Sequence, residues 1–348
     1  MLADLAFVGF GHVGRRFARL LDERRDQLAR DFNLTCRVTG IATRRHGAVC
    51  TDGDVDAVGA ARLVEAGGSL VDLASGEAGG VSSSHHVIAR LSQSTAALRV
   101  LVETTTLDIA AAQPARDHVR MALEAGCHVV TANKGPVAFA YRELSALAAQ
   151  NGMRFLFEGA VMDGVPVFNL VRETMPTVGI EGFRGVVNST TNHILTALEN
   201  GDEYEPALAH MQAEGIAEAD PSLDVDGWDA AAKAAALSNV LLDGGITPHD
   251  VDRTGIGPDI ASWAREARTR GCRVRLVASA RRGSRPLVRP EELPQDDLLA
   301  GLRGMANALV LDTDTLGHVV ICQLDGGLTH TAYALMSDLI TIRKRFVA

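Results

Sequence analysis

A glycine triplet with dinucleotide-binding spacing starts almost at the first residue of this chain: Gly9-Phe10-Gly11-His12-Val13-Gly14. Its context gives it weight. Residues 5–8 form an apolar run that reads as a buried strand, and an amphipathic helix follows to about Arg25, with Phe17, Leu20 and Leu21 on one face. A lone GxGxxG is weak evidence, whereas strand, glycine turn and helix in that order form a functional unit. The first two glycines let the backbone turn and approach a pyrophosphate, and the third lets the helix pack on the strand. The unpaired amides and dipole of the helix N-terminus then favour the phosphate charge. Gly9, Gly11, His12, Val13 and Gly14 are the expected cofactor-binding segment.

The second strand, Arg37–Ala42, bears on which dinucleotide is held. Such strands end in a carboxylate where NAD is preferred, because that group bonds the ribose 2′-hydroxyl. Here the sequence runs Ala42-Thr43-Arg44-Arg45, with no acid until Asp52. Arg44 and Arg45 suit a 2′-phosphate instead. NADP is the expected cofactor and NAD the alternative, with two solvated loop arginines as the plain explanation to be set against both.

Strands and helices continue to alternate. Arg99–Val102 is a strand ending at Glu103-Thr104-Thr105-Thr106, residues 114–125 form a helix closed by Gly126, and Cys127–Val130 is the next strand. Between Gly47 and Ser94 the chain is rich in Gly, Ala, Ser and Asp, with short helical pieces and a loop near Ser75–Ser84. A helix follows Asn133-Lys134-Gly135-Pro136 and stops at Asn151-Gly152. This is the pattern of an α/β, doubly wound parallel sheet. Beyond it the texture changes. Phe155–Phe157 and Ile180–Val187 read as strands of a different sheet, followed by helices near Thr191–Asn200, Glu205–Glu214 and Trp228–Leu242. Arg273–Ala280 and Ala308–Asp312 read as strands and Thr331–Arg345 as a terminal helix.

Bulk properties exclude several classes. A chain of 348 residues needs more than one core. Its net charge of −9 and its lack of a basic run beyond Arg343-Lys344-Arg345 argue against nucleic acid or an anionic membrane as partner. No apolar run approaches the ~18 residues of a membrane span, and no secretory leader is legible, so a cytoplasmic location is expected. The five cysteines lack CxxC spacing and read as small buried hydrophobes in a reducing compartment.

Chemistry-bearing residues gather in two places. Thr131-Ala132-Asn133-Lys134 follows a strand, at the carboxyl edge where open α/β sheets bind ligands. In Trp228–Leu242 the only charged residues are Asp229 and Lys233, four apart, in a helix otherwise mostly Ala and Leu. An i, i+4 pair is ordinarily a solvated surface contact. This helix is apolar nearly all round, hence buried, and a buried ion pair is poor evidence for stability, so a site explains it better. Glu218, Asp220 and Asp224 precede it, and such clustered carboxylates suit a substrate bearing an ammonium group.

These blocks together resemble the homoserine dehydrogenase family, particularly its short form without a C-terminal regulatory domain. The resemblance spans nearly the whole chain: GFGHVG at 9–14, HVVTANKGP at 128–136, FEGAVMDGVP at 157–166, NSTTNHIL at 188–195, AEGIAEADPSLDVDGWDAAAK at 213–233 and TAYALMSDL at 331–339. It implies Lys134 and Lys233 as catalytic lysines. Glu218, Asp224 and Asp229 become substrate-binding acids, with Thr190 facing the substrate. Thr104 and Thr105 become the nicotinamide loop, with Lys134 also against the cofactor. It further implies a monovalent cation, Na+, at Glu158, Val161, Asp163 and Val165. The implied organisation is a Rossmann domain over 1–136, a second α+β substrate-binding and dimerisation domain over 137–312, and a C-terminal segment, 313–348, returning to the first. A homodimer is implied, with a small-molecule substrate.

Three departures from the family pattern stand out. Ser189 replaces a glycine, Asp163 enters a Gly/Ala-rich segment, and the tail's GAG-type turn reads Asp325-Gly326-Gly327. The expected activity is NADP-dependent interconversion of L-homoserine and L-aspartate 4-semialdehyde. The alternatives are a paralogue oxidising another small hydroxy acid or amino alcohol and, from a different class, a nicotinamide-sensing regulator. The regulator would have no need of the lysine–carboxylate cluster. A lysine of ordinary pKa, near ~10.4, is poorly matched to proton transfer at neutral pH, and sequence alone does not decide which lysine carries the proton; Lys233 is favoured, with Lys134 as orienter or relay.

Overall fold

A computed structural model describes residues 1–73, 83–213 and 221–346. The chain divides into two compact units, Met1–Pro166 with Gly327–Ala348, and Val167–Gly326.

The first unit is built on six strands: β1 (Leu2–Val8), β2 (Thr35–Ala42), β3 (Ala48–Cys50), β4 (Leu98–Glu103), β5 (His128–Thr131) and β6 (Phe155–Leu156). They lie in the order β3-β2-β1-β4-β5-β6. All neighbours are parallel except the β2–β3 hairpin. The central strands are apolar runs because helices cover both faces. The helix His12–Glu23 buries Phe17, Ala18, Leu20 and Leu21, and Phe7 of β1 meets Phe10 edge-on with ring centres 5.4 Å apart. The terminal helix Leu328–Arg345 joins the same core through Ala332, Leu335, Met336, Leu339 and Ile342, so the chain returns to its first sheet as expected. Gly126 (φ +71) closes the helix Ala115–Glu124, a left-handed position that favours glycine.

Two readings of the sequence need correction here. Phe155–Leu156 extends the first sheet as β6, pairing with Val129 and Val130, and does not belong to the second. Two residues carry no periodicity, so their sheet is set by the partner they find. The three-residue β3 was not anticipated for the same reason. The loop read near Ser75–Ser84 falls mostly outside the described residues.

The second unit carries β7 (Ile180–Val186), β8 (Asp252–Arg253), β9 (Cys272–Arg281), β10 (Leu287–Pro294), β11 (Asn307–Thr313) and β12 (Gly317–Gln323), ordered β12-β11-β7-β9-β10-β8. Pairing is antiparallel apart from β8–β10. The helices Ser189–Glu199, Trp228–Leu241 and Ile260–Thr269 pack against this sheet. Arg275 of β9 is fully buried and ion-paired to Glu199, the last residue of the first of these helices. Neither β10 nor β12 was read from the sequence. Pro290, Glu291 and Glu292 have low strand propensity, and register with β9 supplies the order that local preference does not. Cys50 and Cys127 are buried, and burial pushes the Cys36 thiol up to about 12 and Cys127 to about 11. Cys322 is exposed, contrary to its reading as a buried hydrophobe.

Candidate active site

In the first unit the chain leaves β1 toward β2 and later returns to β4 on the other side of β1. The carboxyl ends of β1 and β4 therefore meet at a topological switch point, where open α/β sheets bind ligands. Gly9 takes φ +87, and a Cβ there would stand 2.4 Å from the Thr104 carbonyl carbon. Glycine is thus doubly required. The Gly9 amide donates to Ala42 O at 2.9 Å, and Thr104 Oγ1 donates to Gly9 O at 2.7 Å. A Cβ on Gly14 would press on Gly9 O and Thr104 Oγ1, both at 3.0 Å, which is how the third glycine lets the helix close on the strand.

Gly11 is different. Its φ of −73° is open to any residue, and a Cβ there would meet nothing within 4 Å. Nothing in the protein demands glycine, so the space is suited to something outside the chain. The helix behind it has no side-chain cap and no acid in its first turn. Its amides are left to an anion, as a pyrophosphate requires. The residues fit a dinucleotide.

Arg44 and Arg45 are exposed on the bend after β2, and neither guanidinium is bonded or ion-paired among the described residues. That bend is held by Thr43, whose Oγ1 donates to Gly47 O at 3.0 Å and accepts from the His46 amide at 2.8 Å.

Beyond β4, Thr104 and Thr105 form a loop anchored on both sides. Thr104 N donates to Val8 O at 2.8 Å. Glu103, fully buried, accepts from Thr105 N at 2.9 Å and from Thr131 Oγ1 at 2.8 Å. Burial pushes the Glu103 carboxyl up to about 6, against the pull of these hydrogen bonds. Asn133 caps the helix Lys134–Gln150 by accepting from Gly135 N at 2.9 Å, so Lys134 is the first residue of that helix and not part of a turn ahead of it.

Of the residues given to a cation, Glu158 and Val161 are buried. Glu158 N donates to Asp338 Oδ2 at 2.8 Å and Val165 N to Met162 O at 3.0 Å. Asp163 has φ +47. Its carboxylate accepts from Thr331 Oγ1 at 3.0 Å and Gly327 N at 3.4 Å, at the start of the terminal helix. No group of three or more His, Cys, Asp or Glu able to hold a metal occurs among the described residues, and none of their helices is long and apolar enough to cross a membrane.

In the second unit Asp224, Asp229, Lys233 and Thr190 come together around a residue the sequence reading did not single out, Asn188. Its side-chain nitrogen donates to Asp224 Oδ1 at 2.6 Å and to Asp229 Oδ2 at 2.9 Å. Its oxygen caps the helix Ser189–Glu199, accepting from Thr191 N at 2.8 Å. Lys233 Nζ lies 2.8 Å from Asp229 Oδ2 and 2.6 Å from Val187 O. Burial and then the neighbouring Asp229 charge raise the Asp224 carboxyl above its usual range, opposed by Asn188, Lys233 and Thr190. The helix Trp228–Leu241 is buried from Ala230 to Ala232 and from Ala234 to Asn239, as its composition led us to expect. Two carboxylates, an ammonium and a rigid amide can bind a cationic group and move a proton. Glu218 and Asp220 lie outside the described residues.

Ser189, which stands where the family pattern has a glycine, does not adopt a left-handed backbone. It begins the helix with an ordinary φ, and its Oγ accepts from Asn307 Nδ2 at 2.8 Å. Both residues the sequence reading missed carried a signal. Asn188 is a cap-type residue ahead of an apolar-periodic helix, and Glu103 is a carboxylate ending an apolar parallel strand one strand away from the glycine turn.

The model of the homoserine dehydrogenase NAD-binding domain matches residues 9–158, and that of homoserine dehydrogenase matches 166–340. The NAD(+)-dependent homoserine dehydrogenase of Pseudomonas canavaninivorans is 36% identical over 344 residues, covering 98% of this chain and 96% of that one. A putative homoserine dehydrogenase from Archaeoglobus fulgidus superposes with a TM-score of 0.85 at 32% identity over 98% of this chain and 99% of that one. A hyperthermophilic archaeal homoserine dehydrogenase in complex with NADPH gives 0.81 at 32% identity, over 99% and 98%. The chain therefore belongs to the homoserine dehydrogenase family.

Proposed function

We propose that this chain interconverts L-homoserine and L-aspartate 4-semialdehyde with NADP as preferred cofactor and NAD as the alternative. The observation that carries the reading is the constellation of Lys233, Asp229, Asn188 and Asp224. Asp224 and Asp229, with Glu218, hold the α-ammonium group of the substrate, and Thr190 lies beside it. Lys233, oriented by Asp229 and Val187 O, takes the proton of the alcohol in one direction and returns it in the other. Lys134 orients the reacting end or relays the proton. Gly9, Gly11, His12, Val13 and Gly14 bind the pyrophosphate, and Thr104 and Thr105 bind the nicotinamide, which when bound supplies the hydride acceptor or donor for C4. Arg44 and Arg45, exposed and without described partners, support NADP.

The same reading places a Na+ ion on the segment of Glu158, Val161, Asp163 and Val165, and makes the protein a cytoplasmic homodimer serving threonine, methionine and isoleucine synthesis. The deciding experiment follows NADPH absorbance with aspartate 4-semialdehyde as substrate. Absence of turnover with either dinucleotide would end the proposal. A second reading, a paralogue acting on another amino alcohol, draws on Ser189 and its bond to Asn307. Faster turnover of such an alcohol than of homoserine would favour it.

A further inference from the structure

Glu103 is a fully buried carboxyl group at the carboxyl end of β4. Its partners among the described residues are amides and hydroxyls, with no counter-charge. Oε1 accepts from Thr105 N at 2.9 Å and from Thr105 Oγ1. Oε2 accepts from Thr131 Oγ1 at 2.8 Å. Thr131 Oγ1 in turn accepts from Asn133 N at 3.0 Å, and Asn133 Nδ2 donates to Thr105 O at 3.1 Å. The ring Glu103–Thr105–Asn133–Thr131 is closed. It ties the loop after β4 to the segment after β5, whose next residue, Lys134, opens a helix.

Burying a carboxyl without a counter-charge is costly, and an apolar side chain of the same volume would pack more cheaply. The burial pushing this group up to about 6 is a measure of that cost. What the carboxyl provides, and an apolar group does not, is a pair of acceptors aimed at two separate loops. Reacting groups must be held to roughly 0.5 Å for efficient transfer.

We infer that Glu103 is a positioning residue for hydride transfer, locking the Thr104-Thr105 loop and the Thr131–Lys134 segment into one rigid piece. The inference rests on the proposed roles of Thr104, Thr105 and Lys134. It predicts that Glu103 acts on turnover and not on dinucleotide affinity, because the pyrophosphate is held elsewhere, at Gly9 to Gly14.

The test compares Glu103→Leu, which fills the volume and removes both acceptors, with Glu103→Gln. Glutamine keeps one acceptor for Thr105, and its NH2 can donate to Thr131 Oγ1. With homoserine and NADP+, Glu103→Leu should lower kcat by about thirtyfold or more, with the dinucleotide KM within about threefold and kcat largely restored in Glu103→Gln, as expected for lost positioning. Nicotinamide fluorescence of bound NADPH reads the loop without any substrate. Its emission shift should survive in Glu103→Gln and be lost in Glu103→Leu. A wild type inactive on homoserine would refute the proposed function, and this fluorescence comparison would still decide on Glu103. Wild-type turnover and emission in Glu103→Leu, or equal impairment of the Gln and Leu variants, would overturn the inference. Should Glu103→Leu not fold, Thr131→Val cuts the ring at its other side. The same loss of kcat would support the inference, and wild-type kcat would overturn it.

Discussion

The side-chain nitrogen of Asn188 sits 2.9 Å from Asp229 Oδ2, the same oxygen that Lys233 Nζ meets at 2.8 Å. One carboxylate oxygen is thus held between a neutral donor and a charged one, and Asn188 also holds Asp224. Asn188→Asp retains the acceptor that caps the helix Ser189–Glu199 but replaces the shared donor with a third carboxylate. The fold should survive. The KM for homoserine should rise by about tenfold or more, the scale of a charged hydrogen bond lost, while dinucleotide affinity holds. An unchanged KM would mean that Asn188 serves only as a cap.

Lys233→Ala should lower kcat by about a hundredfold or more, the usual contribution of a general acid–base group. Binding of NADPH, measured by fluorescence titration, should stay as in the wild type. Parallel loss of cofactor binding would make the lysine a scaffold residue. Lys134→Ala should also impair turnover, and the double variant should be little worse than the more impaired single one, since groups acting as a unit are not additive.

Arg44→Ala combined with Arg45→Ala should weaken NADP far more than NAD. Each charge-assisted bond to a 2′-phosphate is worth about 1.5–3 kcal/mol, so the ratio of kcat/KM values should fall by about tenfold or more. A wild type that already prefers NAD would show that these exposed arginines do not read the phosphate.

Asp163 pairs two features that can be separated by mutation, a left-handed backbone and a capping carboxylate. Asp163→Ala loses the cap and keeps the strained backbone, and should cost about 0.5–2 kcal/mol in denaturant unfolding. Asp163→Gly relieves the backbone and should cost less, and Asp163→Asn, which keeps an acceptor and tolerates positive φ, should cost least. Equal stability of all three would remove Asp163 from the anchoring of the terminal helix.

Stability should fall on mild acidification. Burial lowers His118 and His128 from 6.5 to about 4. Between those values the unfolded chain binds protons that the folded one refuses, so stability rises with pH by roughly 1.4 kcal/mol per unit for each ring. Glu103 works in the opposite sense. Its rise from 4.5 to about 6 means that the folded state keeps a proton the unfolded one releases. For these three groups the loss should therefore spread over about pH 6.5 to 4, with Glu103 offsetting about one ring's share between about pH 6 and 4.5. Replacing His118 by Gln should remove one ring's share of the slope, and an unaltered slope would contradict its burial as the cause.

Much of this architecture is written locally. Gly9 to Gly14, the apolar face of the helix behind them and Gly126 closing a later helix are short-range patterns in which each residue's own conformational limits carry the message. The lone polar pair Asp229 and Lys233 could be found the same way, because an apolar helix announces burial and makes any charge in it conspicuous. Other elements were set by partners far along the chain. Phe155–Leu156 found its sheet through β5, and the proline- and glutamate-rich β10 is ordered by register with β9. Asn188 became the hub of the candidate substrate site through carboxylates 36 and 41 residues away, and Glu103 joined two loops through Thr131, 28 residues on. Hydrophobic periodicity records which face of an element is buried. Which polar groups meet once those faces have packed depends on distances of about 3 Å, and only the tertiary structure sets them.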